Sequence, residues 1–409
     1  MSRLHNDLVN WTALETELTT ELVKQTRQMM AEHPAIEFSA AAVGQLYYET
    51  DGVIHVPLLG LNTDGEISEL PGDWEFYPLD WLPTSERTRQ VHQALRDEAC
   101  RSSVQHWHDT LDEFLAMLVR VCQRARQELD GLPVFIYDDN DPRFEYLLRG
   151  TLTEAEVAEH FPELNEAQAE RTRVAALPLD EQVAFYVSVL ADFQHPLGFD
   201  EAAKALRAMG SDAIPALLPL LPSYQAAKLL ADIGIADDTA ITALAATLDS
   251  ARGPEQHWAA AALSRLGRLD VVLARVSALP AEVVVGAVAA PYGSFRDGTL
   301  SPRPLDYEPL ESFLSGYPEM VPLLERQLAP GSSYCEITAA EAGEAIRGSA
   351  SPYPLVRQHA VCVLGERALG EAVGTRVMPL LERIATQDPD ADVRRLAGLS
   401  LSDWTPTRE

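Results

Sequence analysis

Ala227-Lys228-Leu229-Leu230-Ala231-Asp232-Ile233-Gly234 sets a pattern that runs through the second half of the chain. Ala203 to Gly210 and Ala260 to Gly267 repeat it, and Ala360 to Gly365 follows it more loosely. Each copy places small residues on one side of a helix and leucine on the other. Each then ends in a glycine, the residue that most easily takes the left-handed conformation closing a helix. A second apolar helix often follows the glycine, as from Ala213 to Leu218. The same design recurs from Val377 to Ile384, with Pro379 expected in a first helical turn, where no amide hydrogen is needed. Neither helix of such a pair can bury its apolar stripe alone, so stacked pairs sharing a continuous core are the expected architecture.

Outward from this core the periodicity changes. Leu8, Trp11, Leu14, Leu18, Leu22 and Met29 recur at helical steps until His33-Pro34 stops them. Phe38 to Tyr48 and Val53 to Leu61 read as two strands of a hairpin around Asp51-Gly52. Helical period returns from Ser85 to Leu129, and Leu132 to Tyr137 reads as a further strand. The expected organisation is therefore an α+β domain over residues 1–150, a helical bridge or set of capping helices over 151–198, and helical repeats over 199–409. Thr153 and Glu156 form a capping-box pattern at the start of the bridge. Residues 291–336, rich in proline and tyrosine, are expected to interrupt the repeats.

Residues 199–403 resemble HEAT repeats of the variety with Ala-x-x-x-Leu-Gly endings. Pro389-Asp390-Ala391-Asp392-Val393-Arg394-Arg395-Leu396-Ala397 resembles that family's turn between helices, and Leu355-Val356-Arg357-Gln358-His359-Ala360 repeats its Val-Arg step. The resemblance implies an α-solenoid, and for function it implies a surface that binds other proteins. The long helix, the hairpin and the segment Trp74-Glu75-Phe76-Tyr77-Pro78-Leu79-Asp80-Trp81 resemble uncharacterised bacterial domains that accompany polymorphic toxins. Together the two resemblances imply a bacterial immunity protein that binds and neutralises a cognate toxin. A general HEAT-type scaffold or adaptor is the alternative. A ligand-binding protein similar to the HEAT-like phycobilin lyases is a third reading.

Charge narrows the partner. The 409 residues hold 62 acids against 32 bases, a formal charge of −30, yet 46% are hydrophobic, enough to fold. A nucleic-acid or anionic-membrane surface demands a basic face, so neither is an expected partner. A protein with a basic surface is, and a toxin domain would supply one. The excess is uneven: residues 1–200 carry 36 acids and 14 bases, residues 201–409 carry 26 and 18. No lysine or arginine stands between Arg27 and Arg87, a stretch with eleven acids. Such a field speeds capture of a cationic partner and weakens with salt. The four scattered cysteines (Cys100, Cys122, Cys335, Cys362) form no C-x-x-C pair, and the first residues lack an apolar signal core. A soluble, cytoplasmic protein is expected.

The candidate contact residues are Asp73, Trp74, Glu75, Tyr77, Asp80 and Trp81, joined by Asp138, Asp139 and Asp141 of a second acidic loop. Aromatic rings among carboxylates suit the arginine and lysine side chains that dominate basic interfaces. The competing reading of the first segment is a core strand whose aromatics pack on the long helix, and both can hold on opposite faces. Asp388-Pro389-Asp390-Ala391-Asp392 alternates carboxylates like a calcium loop, but Val393 and Leu399 stand where glycine and a bidentate glutamate belong. A capped turn, with its last aspartate accepting backbone hydrogen bonds, is the expectation there. His106 and His108 lie two apart, so on a helix they cannot face one metal. No nucleophile elbow, phosphate loop or H-E-x-x-H pattern occurs. No catalytic residue, metal or cofactor is therefore expected.

Overall fold

The structure is a computed structural model. It describes residues 9–404 apart from 47, 49–53, 64, 66, 68–70, 80–85, 100–103, 140, 142, 193, 294–302, 330–333 and 367–368. The chain is predominantly helical with one small sheet, and it divides into two compact units, Met1–Ala169 and Glu170–Glu409. Among the described residues no helix is long and apolar enough to cross a membrane.

The first unit opens with helix α1 (Trp11–Glu32), whose free N-terminal amide at Ala13 is capped by Asn10 Oδ1 at 3.1 Å. Strands β1 (Ala40–Gly44), β2 (Leu58–Asn62) and β3 (Phe76–Leu79) follow. Helices α2 (Glu86–Ala99) and α3 (Val104–Glu128) occupy the stretch whose period reads as one helical region. Strand β4 (Val134–Tyr137) and helices α4 (Phe144–Thr151) and α5 (Glu154–His160) complete the order, and α6 (Pro162–Ala175) runs across the boundary into the second unit's sequence.

The sheet runs β3-β2-β1-β4. The expected hairpin forms: β1 and β2 are antiparallel, Ala40 opposite Asn62, with a further bridge between Tyr48 and Ile54. Strand β4 then pairs with β1 in parallel, Ala41 beside Val134. Alternation along the strands gives each face its own core. Ala41, Val43, Leu59, Leu61, Val134 and Ile136 pack with Leu18, Leu22, Leu111 and Leu118 of α1 and α3. Ala40, Ala42 and Phe135 pack on the other side with Leu148, Val157 and Phe161. A sheet covered on both faces explains why its strands are apolar almost throughout. Pro78 is tolerated because β3 is an edge strand, where a missing N–H breaks no central ladder.

The second unit contains α7 (Leu179–Val189), α8 (Gly198–Met209), α9 (Ile214–Leu217), α10 (Tyr224–Ile233), α11 (Asp238–Ser250), α12 (Pro254–Arg265), α13 (Leu269–Leu273) and α14 (Ala281–Ala289). It continues through α15 (Glu308–Gly316), α16 (Val321–Gln327), α17 (Ala342–Gly348), α18 (Pro354–Val363), α19 (Glu371–Gln387) and α20 (Ala391–Trp404). Helix α8 packs on α10, α10 on α12, and α12 on α14, while α11 packs on α12 and α13 on α14. Three of the four repeated glycines have positive φ, 61° at Gly210, 71° at Gly234 and 76° at Gly267; Gly234, with ψ at 11°, closes its helix in the left-handed conformation, whereas Gly210, with ψ at −125°, does not. The looser copy differs. A Cβ on Gly365 would stand 2.7 Å from Ser400 on α20, so that glycine permits a close helix approach.

Two local expectations need correction. Pro379 lies inside α19, which starts eight residues earlier at Glu371, so the helix spans the proline and loses one amide bond there. In the acidic turn, Asp390 rather than Asp392 caps α20: its Oδ1 accepts from Asp392 N at 2.9 Å and Val393 N at 3.0 Å. Asp388 in turn receives both Nε and Nη2 of the buried Arg357, at 2.9 and 3.0 Å, joining α18 to the turn before α20. The stretch around 291–336 supplies core: Tyr292 and Tyr307 are fully buried beside His359. His359 Nε2 lies 3.0 Å from the Tyr292 carbonyl, so it carries the proton, and Nδ1 accepts from the Tyr307 hydroxyl at 2.6 Å.

Candidate functional site

A cleft of about 810 Å³ opens in the first unit where β1 and β4 end. Both strands run in parallel and present their carboxyl ends to it, the place where open α/β sheets leave a crevice between diverging loops. Gly44 closes β1 at the cleft; a Cβ there would stand 2.6 Å from the Tyr137 carbonyl oxygen, so only glycine allows β4 this near. Gln45 follows with φ at 57°, a left-handed turn in a residue that carries a Cβ. That turn brings Leu46 N to Asp138 Oδ2 at 2.8 Å, which ties the loop after β1 to the loop after β4.

Four aspartates line the cleft: Asp73, Asp138, Asp139 and Asp141. They do different work. Asp141 is buried, and its oxygens accept from the Tyr48 hydroxyl, from Arg143 N at 2.7 Å and from Arg143 Nε at 3.3 Å. Asp138 is half-buried and engaged by the Leu46 amide. Asp73 and Asp139 are exposed at the rim. The walls are tyrosines. Burial, then the hydrogen bond to Asp141, pushes the Tyr48 hydroxyl above its usual range. Burial and the Asp138 charge do the same to Tyr77, and burial with Asp139 and Glu163 does so to Tyr137. All three remain protonated donors in a field of negative charge. His55 reaches the cleft stacked on His92, ring centroids 5.3 Å apart. Arg143 sits 5.3 Å from the centre of the Tyr48 ring and also pairs with Asp112 at 2.9 Å, so the protein itself already places a guanidinium on an aromatic face beside carboxylates here.

The structure thus brings Asp73, Tyr77, Asp138, Asp139 and Asp141 together from two distant segments. It does not bring the rest. Trp74, a contact candidate whose competing reading is a core position, is buried, packed edge-on against Phe135 and over Gly60, so its ring holds the sheet. The segment's core side lies away from α1 and α3 for Trp74 and Tyr77, whereas Phe76 and Leu79 face those helices. Glu75 is exposed but is not among the residues lining the cleft. Asp80 and Trp81 lie outside the described residues. Tyr48, Tyr137, His55 and Gln45 are absent from the expected set. Their signal was positional only, since each sits just past a strand end whose parallel partner is remote in sequence.

No protein-family model matches the sequence, and no curated protein matches it. The histidine pair of α3 behaves as helical spacing requires: His106 Nε2 meets the buried Glu98 at 3.0 Å, and His108 is exposed. Among the described residues no group of three or more histidines, cysteines, aspartates or glutamates is arranged to hold a metal.

Proposed function

We propose that this chain is a non-enzymatic protein-binding protein whose first unit captures a basic partner in the acidic, tyrosine-walled cleft. The observation that carries this reading is the convergence of Asp73 with Asp138 and Asp139 around Tyr77 and Tyr137. An inserted arginine or lysine would find exposed carboxylates at the rim and aromatic faces within, contacts of ~0.5–2 kcal/mol per aromatic face once desolvated. The base-free stretch between Arg27 and Arg87 adds to the negative charge of the first unit and would speed encounter.

Within that class, our reading is a bacterial immunity protein that masks a basic site on a cognate toxin, with the second unit as a HEAT-like array. Packing of every second helix from α8 to α14, glycines with positive φ at three repeat ends and the Arg357–Asp388 link support the array. A scaffold for an endogenous basic partner uses the same cleft and differs only in the partner's identity. Co-expression with the product of the neighbouring gene distinguishes them. Immunity predicts that the neighbour arrests growth alone, that this chain restores growth, and that Asp73→Lys with Asp139→Lys abolishes the rescue. A neighbour that is harmless, or rescue untouched by the double reversal, would overturn the immunity reading.

A further inference from the structure

The second unit holds a positive centre inside an acidic protein. The side chain of Asp232 on α10 is almost fully buried and meets three cations: Lys228 Nζ at 2.7 Å, Arg265 Nη1 at 2.9 Å and Arg207 Nη1 at 3.6 Å. They come from α8, α10 and α12, helices that pack on one another in turn. Among the described residues none of the three has a second carboxylate within ion-pair distance, so one negative charge faces three positive ones. Arg207 Nε is buried without a hydrogen-bond acceptor, whereas Arg265 Nη1 and Asp232 Oδ1 face each other as an ion pair whose alignment falls short of a hydrogen bond.

Beside Arg265 lies a pocket of about 150 Å³. Ser264, Arg265 and Arg303 contribute donors to its lining, and Val288, Leu305 and Pro309 form apolar wall. The Arg303 guanidinium lies flat against the end of α12, where a Cβ on Gly267 would collide with it. Asp306 also borders the pocket, with Oδ1 accepting from Glu308 N at 2.9 Å. The Arg265 side chain is about nineteen-twentieths buried, is anchored through Nη1 by its ion pair with Asp232, and also lines this pocket.

We propose that the pocket binds one small oxyanion, a phosphate or the carboxylate of a short organic acid, held by Arg265 and Arg303. Planar guanidinium forks match both oxyanions in geometry, and Arg265 and Arg303 against Asp306 leave the lining net positive, which favours either. The apolar wall suits a body of a few carbons. This site is separate from the acidic cleft and takes the opposite charge.

Titration calorimetry on the full chain tests it, with sodium phosphate and sodium isobutyrate as probes and sodium chloride at matched ionic strength as control. The expected result is one saturable site for at least one probe, weakened at least tenfold by Arg303→Gln, whose exposed side chain can be replaced without opening the core. Arg265→Gln, where it folds by circular dichroism, should abolish the site. Phosphate binding alone assigns a phosphate ligand, and isobutyrate binding alone assigns an organic acid. Heats no larger than those of chloride for both probes, or binding unchanged in Arg303→Gln, would overturn the proposal.

Discussion

Tyr48 donates its hydroxyl hydrogen to a buried aspartate, Asp141, that also receives two donors from Arg143. The triad fixes the outer wall of the cleft. Tyr48→Phe removes one donor from a buried acceptor, and ~1–2 kcal/mol of unfolding free energy should be lost. Urea denaturation monitored by tryptophan fluorescence measures it. Gly44 is a second fixed point, because a Cβ there would stand only 2.6 Å from the Tyr137 carbonyl oxygen. Gly44→Ala should cost ~1–3 kcal/mol, as overpacking does, and the same denaturation curves would show an unshifted midpoint if β4 can move away freely. Charge makes Asp73 and Asp139 legible in the sequence as contact candidates. The burial of Asp141 and Trp74 is not legible there. An aspartate in an acidic run reads the same whether its lone pairs face solvent or its own chain, and a tryptophan in a bend shows no sign of which face of the sheet it will cover.

At the level of elements, α5 illustrates a local signal that survives intact. Thr153 Oγ1 accepts from Glu156 N at 3.3 Å and Glu156 Oε2 accepts from Thr153 N at 2.8 Å, completing the capping box. Arg126 of α3 adds two bonds of 2.7 Å to the same carboxylate. Burial pushes the Glu156 pKa up, but Arg126 and Thr153 outweigh it and hold the group at about 2. A depressed carboxylate stabilises the fold above its unfolded pKa and loses that contribution as pH falls from about 4.5 towards 2. With the pair's solvent-facing side discounted, Glu156→Gln should cost ~1–2 kcal/mol at pH 7, and the gap from the parent protein should close across that window. Denaturation at pH 7 and at successive steps below pH 4.5 reads it; a gap that is constant with pH contradicts the pairing. Helix ends and strand alternation are legible because they depend on neighbours in sequence. The parallel pairing of β1 with β4 is not, since Ala41 and Val134 share no local pattern, and it is this pairing that creates the cleft. Pro379 misleads for a related reason: tertiary packing on α20 carries α19 straight through a residue that local rules assign to a helix start.

Over the whole molecule, the −30 charge divides into unlike parts. The first unit concentrates negative charge at a cleft with rim carboxylates, while the second places three cations around Asp232. The central claim is that the cleft, and not diffuse acidity, recognises a basic partner. Two double variants with the same change in net charge separate these ideas: Asp73→Lys and Asp139→Lys at the cleft, against Glu319→Lys and Glu325→Lys in the second unit, all at exposed positions. The measurement is the dissociation constant of an arginine-rich peptide at fixed ionic strength by calorimetry. The expected result is at least a tenfold loss, about 1.4 kcal/mol, for the cleft pair and about threefold or less for the pair in the second unit. Equal losses in the two variants would contradict it.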